Sequence, residues 1–135
     1  MIIILSLSWQ HLLIVAIIFG IFIIPYILYI NTLQATLKEI RKENKTITEV
    51  SLWLLLIPVF NLIWHFIVVN KISDSLEKEA KSRNLYFGEI KPGHSIGIAM
   101  CILNIIPYLN LIGFILWIIY WAKINSYKNF LIYNR

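Results

Sequence analysis

The chain has 135 residues, of which 59% are hydrophobic and 14% charged, and its mean hydropathy is +0.76. A soluble domain carries about 25% charged residues, so this chain cannot cover itself against water, and the composition argues against a soluble enzyme. It is long enough for one compact unit and too short for a membrane part plus a catalytic domain. The net charge of +5 is read first as loop topology and contact with anionic lipid, with no double-stranded nucleic acid expected as a partner.

Residues 1–30 form the first apolar run, longer than the roughly 20 residues that span a bilayer. It lacks the basic start and small-residue cleavage site of a secretory signal. Lys38, Arg41, Lys42 and Lys45 follow it, so the positive-inside rule puts the N-terminus outside and residues 31–49 in the cytoplasm. Leu33, Leu37 and Ile40 extend a helical stripe beyond the run, and Thr46-x-x-Glu49 matches a capping box.

The second run, residues 51–69, is interrupted by Ile57-Pro58-Val59-Phe60-Asn61-Leu62-Ile63. The third, residues 96–122, is interrupted by Ile106-Pro107-Tyr108-Leu109-Asn110-Leu111-Ile112. The shared Ile-Pro-x-x-Asn-Leu-Ile pattern marks an internal duplication, with repeat 1 over 50–84, a linker over 85–95 and repeat 2 over 96–135. Proline ends or kinks a helix, and an Asn three residues on suits the cap of a new one. The pattern therefore predicts two Pro-broken helical hairpins, re-entrant or kinked, beside one transmembrane helix. A kinked full span and a four-span arrangement are the alternatives. With both runs re-entrant, every basic segment falls on the cytoplasmic side, as the charge rule asks. The fold class is an all-α integral membrane protein whose hairpins carry cytoplasmic helical extensions.

After Val69, the pairs Asp74–Lys78, Glu77–Lys81 and Glu79–Arg83 place acid before base at i,i+4. They predict a cytoplasmic continuation of the helix that begins near Leu62. Lys91-Pro92-Gly93 reads as a turn. Gly93, Gly97 and Cys101 share a face suited to close helix packing, within or between subunits. Trp53, Trp64, Trp117 and Trp121 fit an interfacial belt.

No acidic residue lies in an apolar run, and no catalytic or phosphate-binding motif is present. His11, His65 and His94 stand on separate segments without metal-ligand spacing, and no cofactor is expected. The polar groups committed to the membrane are Asn61, Asn104, Asn110 and His65. They read either as helix caps and packing groups or as the lining of a water-filled passage.

Residues 50–130, through Ile-Pro-Val-Phe-Asn-Leu-Ile-Trp at 57–64 and Ile-Ile-Tyr-Trp-Ala-Lys-Ile at 118–124, resemble an uncharacterised family of small bacterial multi-helix membrane proteins. The resemblance implies a bacterial source and carries no activity; with the apolar runs, the expected location is the bacterial inner membrane.

Two functional expectations follow. The first is a homo-oligomeric pore or ion channel, of the kind used as a toxic or anti-phage defence effector. In it Lys38, Arg41, Lys42, Lys78, Lys81 and Arg83 would meet lipid headgroups or an anionic, nucleotide-type ligand. The second is a membrane-shaping or scaffold hairpin protein, or a small accessory subunit of a membrane complex.

Overall fold

The computed structural model describes residues 2–135, with side chains from Ser8 onward; Met1, the start of the first apolar run, lies outside the described residues. The chain is helical throughout its regular elements: α1 (Ile2–Lys38), a 3-10 turn (Lys42–Asn44), a 3-10 segment (Val50–Leu56), α2 (Pro58–Arg83), α3 (His94–Ile105) and α4 (Asn110–Tyr133). No strand occurs among the described residues.

Contacts fix the direction of each helix. Tyr26 meets Asn61, Tyr29 meets His65, and the Arg41 amide meets Glu79, so α2 runs parallel to α1. Tyr26 stacks on Trp117, Thr32 accepts from Trp121, and Glu39 pairs with Arg135, so α4 runs the same way. In α3, His94 meets Asn70 while Cys101 and Asn104 sit level with His65 and Asn61. It is the antiparallel element. Both Pro turns, at Ile57-Pro58 and at 106–109, therefore lie at one end of the bundle. The loops and all twelve Lys and Arg residues follow Leu37 in the sequence, and the ion pairs cluster at the other end.

Local chemistry sets these boundaries. Pro58 occupies the first turn of α2, where its missing N–H costs nothing. Asn84, left-handed with φ of 55°, closes that helix and donates its amide to Ala80. Ahead of α3, Gly93 is also left-handed, and its amide donates to Glu89. The turn after Pro107 places Tyr108 at φ 68°, a conformation that costs a non-glycine residue about 1–2 kcal/mol.

The core follows the stripe Tyr29, Ile30, Leu33, Leu37 of α1, packed on Val68, Val69, Ile72 and Leu76 of α2, Met100 of α3 and Tyr120, Ile124 and Leu131 of α4. Residues 9–19 of α1, by contrast, are exposed along their whole length. The region from Ser8 to Lys38 is long and apolar enough to cross a membrane, and little of it is covered by the rest of the chain.

α1 continues unbroken to Lys38, in line with the stripe Leu33, Leu37 and Ile40. Two expectations are corrected. Thr46 and Glu49 form no capping box: Thr46 bonds Ser75 and the Lys71 carbonyl, and Glu49 pairs with Lys45. The two repeats also differ in form. Repeat 2 is a hairpin of two α-helices, whereas the first arm of repeat 1 is the 3-10 segment Val50–Leu56.

Candidate functional site

Beside the Pro turns lies a cavity of about 600 Å³ bounded by Ile21, Phe22, Pro25 and Tyr26 of α1, Asn61, Leu62 and His65 of α2, Cys101 and Asn104 of α3, and Phe114 and Trp117 of α4. Every helix contributes to it. Pro25 helps to explain why it sits there: proline has no N–H to give the carbonyl four residues earlier, so α1 loses its bond to Ile21 at the level of the cavity wall.

The polar groups of the cavity are arranged in two ways. Asn61 and Tyr26 satisfy one another, with Tyr26 Oη within 3.2 Å of Asn61 Oδ1 and Asn61 Nδ2 within 3.0 Å of Tyr26 Oη. His65 Nε2 lies 2.9 Å from Tyr29 Oη, and the ring is buried. Asn104 makes no side-chain hydrogen bond among the described residues. Its carboxamide lies against Gly113, where an added Cβ would fall 2.3 Å from Asn104 Oδ1. Tyr26, stacked on Trp117 with ring centroids 5.7 Å apart, supplies an aromatic wall.

The structure thus brings Asn61, Asn104 and His65 together inside one chain and leaves Asn110 apart. Asn110 is exposed at the first residue of α4, and Leu109 holds the cap position. Neither repeated Asn caps its helix: α2 and α4 begin without a side-chain cap. Gly93, Gly97 and Cys101 form a face used within the chain. A Cβ on Gly97 would fall 2.4 Å from Val69 Cγ1 and 3.0 Å from Tyr120 Cε2, and one on Gly93 would meet Tyr120 and Ile124. Small residues there let α3 sit between α2 and α4.

Among the basic residues, Lys38, Lys42 and Lys78 are exposed and none forms a salt bridge within 4.0 Å among the described residues. Lys81 pairs with Glu77, and Arg41 reaches Glu79 at 3.8 Å. Arg83 is not available to a ligand: its guanidinium is committed to Glu79 and to the carbonyls of Leu131 and Glu39. The Glu79 of this i,i+4 pair is fully buried.

A polar girdle crosses the bundle between cavity and loops. It contains Thr32 with Trp121, Asn70 with His94, and Lys123 with Glu89. Burial works against the Glu89 charge, but bonds from Tyr127, the Gly93 amide and Lys123 hold its carboxyl below the ordinary value. Tyr127 is pushed up, first by burial and then by the same carboxylate.

Tyr26, Pro25, Phe22, Phe114 and Trp117 were not singled out as site residues in the sequence. Trp117 reads there as an interfacial residue and is instead buried beside Tyr26. The available signal was Pro25-Tyr26 in the middle of an apolar run, where a helix breaker and a hydroxyl both need a reason. No protein-family model matches the chain, and no curated protein or solved structure matches it.

Proposed function

We propose that the protein is a one-leaflet wedge, an integral membrane protein that shapes or braces the cytoplasmic leaflet of a bacterial inner membrane. The observation that carries this is the common level of the two Pro turns beside a longer α1. From the girdle to the turns, α2, α3 and α4 offer residues 58–70, 94–105 and 110–122. At 1.5 Å per residue these arms reach about 18–20 Å, short of a hydrocarbon core of about 30 Å. The apolar part of α1 exceeds that thickness. One helix then occupies the outer leaflet, and five helical segments, the 3-10 arm included, crowd the inner one.

Three features support the arrangement. Large apolar side chains cover the outside of the short arms, including Val59, Ile63, Leu111 and Ile115. The basic residues gather at the opposite end, which the positive-inside rule assigns to the cytoplasm. Lys38, Lys42, Lys71, Lys78 and Lys91 are exposed there and suit anionic headgroups. The pore expectation drew on amides facing an intersubunit passage. Asn61, Asn104 and His65 surround a cavity within one protomer, which favours the wedge.

The test is reconstitution into vesicles of phosphatidylethanolamine and phosphatidylglycerol, imaged by electron cryomicroscopy. The wedge reading expects tubules or smaller vesicles as the protein-to-lipid ratio rises. Unchanged vesicle sizes together with unitary currents in planar bilayers would overturn it in favour of the homo-oligomeric pore.

A further inference from the structure

We infer that the cavity beside Asn104 is a binding site for an uncharged, lipid-soluble molecule with an apolar body and a hydrogen-bonding oxygen. The inference rests on the half-depth insertion proposed above, but not on curvature.

Size and shape come first. About 600 Å³ lies within the roughly 300–1,000 Å³ of small-molecule sites, which combine apolar walls with a few placed polar groups. Here the apolar walls are Ile21, Phe22, Leu62, Phe114 and Trp117, and the polar groups are those of Tyr26, Asn61, His65 and Asn104.

Charge comes next. None of the lining residues is Asp, Glu, Lys or Arg. A phosphate, carboxylate or ammonium headgroup would give up its hydration there without a countercharge, which is costly in hydrocarbon surroundings. A neutral head suffers no such loss.

Hydrogen bonding narrows the class further. Asn61 already has Tyr26, whereas Asn104 keeps both its donor and its acceptor unused among the described residues. A carboxamide that both donates and accepts can pair with a hydroxyl or a carbonyl, and an unpaired one in an apolar environment gains by doing so. Acylglycerol hydroxyls and quinone carbonyls share this chemistry.

Access completes the argument. Phe22, Leu62 and Phe114 are exposed, so the rim of the cavity merges with the apolar outer surface beside the free half of α1. A ligand enters from the lipid side.

The experiment uses the full chain in nanodiscs, with adduct formation measured by native mass spectrometry. The probes are dioleoylglycerol and a decyl-chain benzoquinone, with oleate as the charged control and hexadecane as the control without oxygen. Saturable one-to-one binding of at least one neutral probe is expected, with oleate binding more weakly. Asn104→Ala should weaken the oxygen-bearing probe about tenfold, the loss of roughly one hydrogen bond, and leave hexadecane unaffected. Asn104→Ser, which keeps a hydroxyl, should bind between the two. Leu62→Trp narrows the rim from an exposed position and should exclude every probe while keeping the wild-type melting temperature. Competition between the two neutral probes shows which source fits better. Absence of any saturable adduct, preference for oleate, or equal affinity in wild type, Asn104→Ala and Leu62→Trp would overturn the proposal. Vesicle remodelling by Leu62→Trp is read in parallel, so loss of binding with intact remodelling separates the two readings.

Discussion

The Glu79 carboxylate, with none of its side chain exposed, receives the Arg83 Nε–H at 2.6 Å. Asn44 Nδ2 and the Arg41 amide donate to the same carboxylate at 2.6 and 3.0 Å. Arg83 in turn donates to the Leu131 carbonyl of α4 and the Glu39 carbonyl after α1. One buried ion pair thus ties together the ends of α1, α2 and α4 at the face opposite the Pro turns.

Removing one member of such a pair leaves a buried charge unmatched, which costs about 3–5 kcal/mol. Arg83→Ala should lose stability on that scale in a detergent-micelle unfolding titration. Arg83→Lys should not restore it, because an ammonium cannot reproduce the planar fork that reaches three acceptors. A loss below about 1 kcal/mol, the range of exposed pairs, would mean that the clamp is solvated.

The same cluster predicts acid sensitivity. Burial works against the Glu79 charge, but the bonds from Asn44, Arg41 and Arg83 prevail and hold its carboxyl below the ordinary 4.5. Glu39, through its bond from Arg135, and Glu49, through its bond from Lys45, are lowered as well. A carboxyl with a depressed folded-state value contributes stability above its unfolded value and loses it as pH falls through the folded one. The melting temperature should therefore hold at neutral pH and drop below about pH 4.5. Glu79→Gln should flatten that drop from a lower starting point. An identical acid profile in the variant would remove Glu79 as a cause.

Close helix approach gives a third expectation. Gly97→Leu forces a side chain into Val69 and Tyr120, so it should destabilise the protomer itself by about 3 kcal/mol, the upper end of usual overpacking costs. Gly113→Ala should cost about 1–3 kcal/mol, because Asn104 and its backbone amide stand where the methyl would go. Thermal unfolding in detergent measures both. A Gly97→Leu variant with wild-type stability would place α3 elsewhere.

Topology supplies the fourth. In a Cys101→Ser background, cysteines replacing Lys42, Lys81 and Lys128 should react with membrane-impermeant maleimide only from the cytoplasmic side. A cysteine replacing Tyr108, fully exposed at the tip of the second turn, should resist the reagent from both sides. A bimane placed there should be quenched by bromolipids. Labelling of position 81 from outside would replace the hairpins with a kinked crossing.

Much of the architecture was legible in the residues because its cause is local. Apolar length and the absence of charge mark α1, and Pro58 and Pro107 mark the two helix breaks through the N–H they lack, although Pro25 is carried inside α1. The acid-before-base pairs and Asn84 announce the extension and end of α2. The packing stripe Leu33, Leu37 and Ile40 also followed from period alone.

The site was less legible because its causes are long-range. Asn61 and Asn110 occupy equivalent places in the duplicated pattern, yet one bonds Tyr26 and the other faces outward. No local rule separates them, since the difference lies in which helix passes nearby. Trp117 resembled a belt residue until Tyr26 covered its ring. The i,i+4 spacing pairs Glu79 with Arg83, but its burial depends on the loop after α1, which folds over it. The sequence by itself determined where helices form and break and which stretches are too apolar for water, because backbone sterics and solvation act residue by residue. Only the tertiary structure decided that both Pro turns share one level, that the small-residue face is used within the chain, and that two amides and a histidine from two helices enclose one cavity. Those outcomes depend on how parallel and antiparallel helices pack, and packing is a property of pairs.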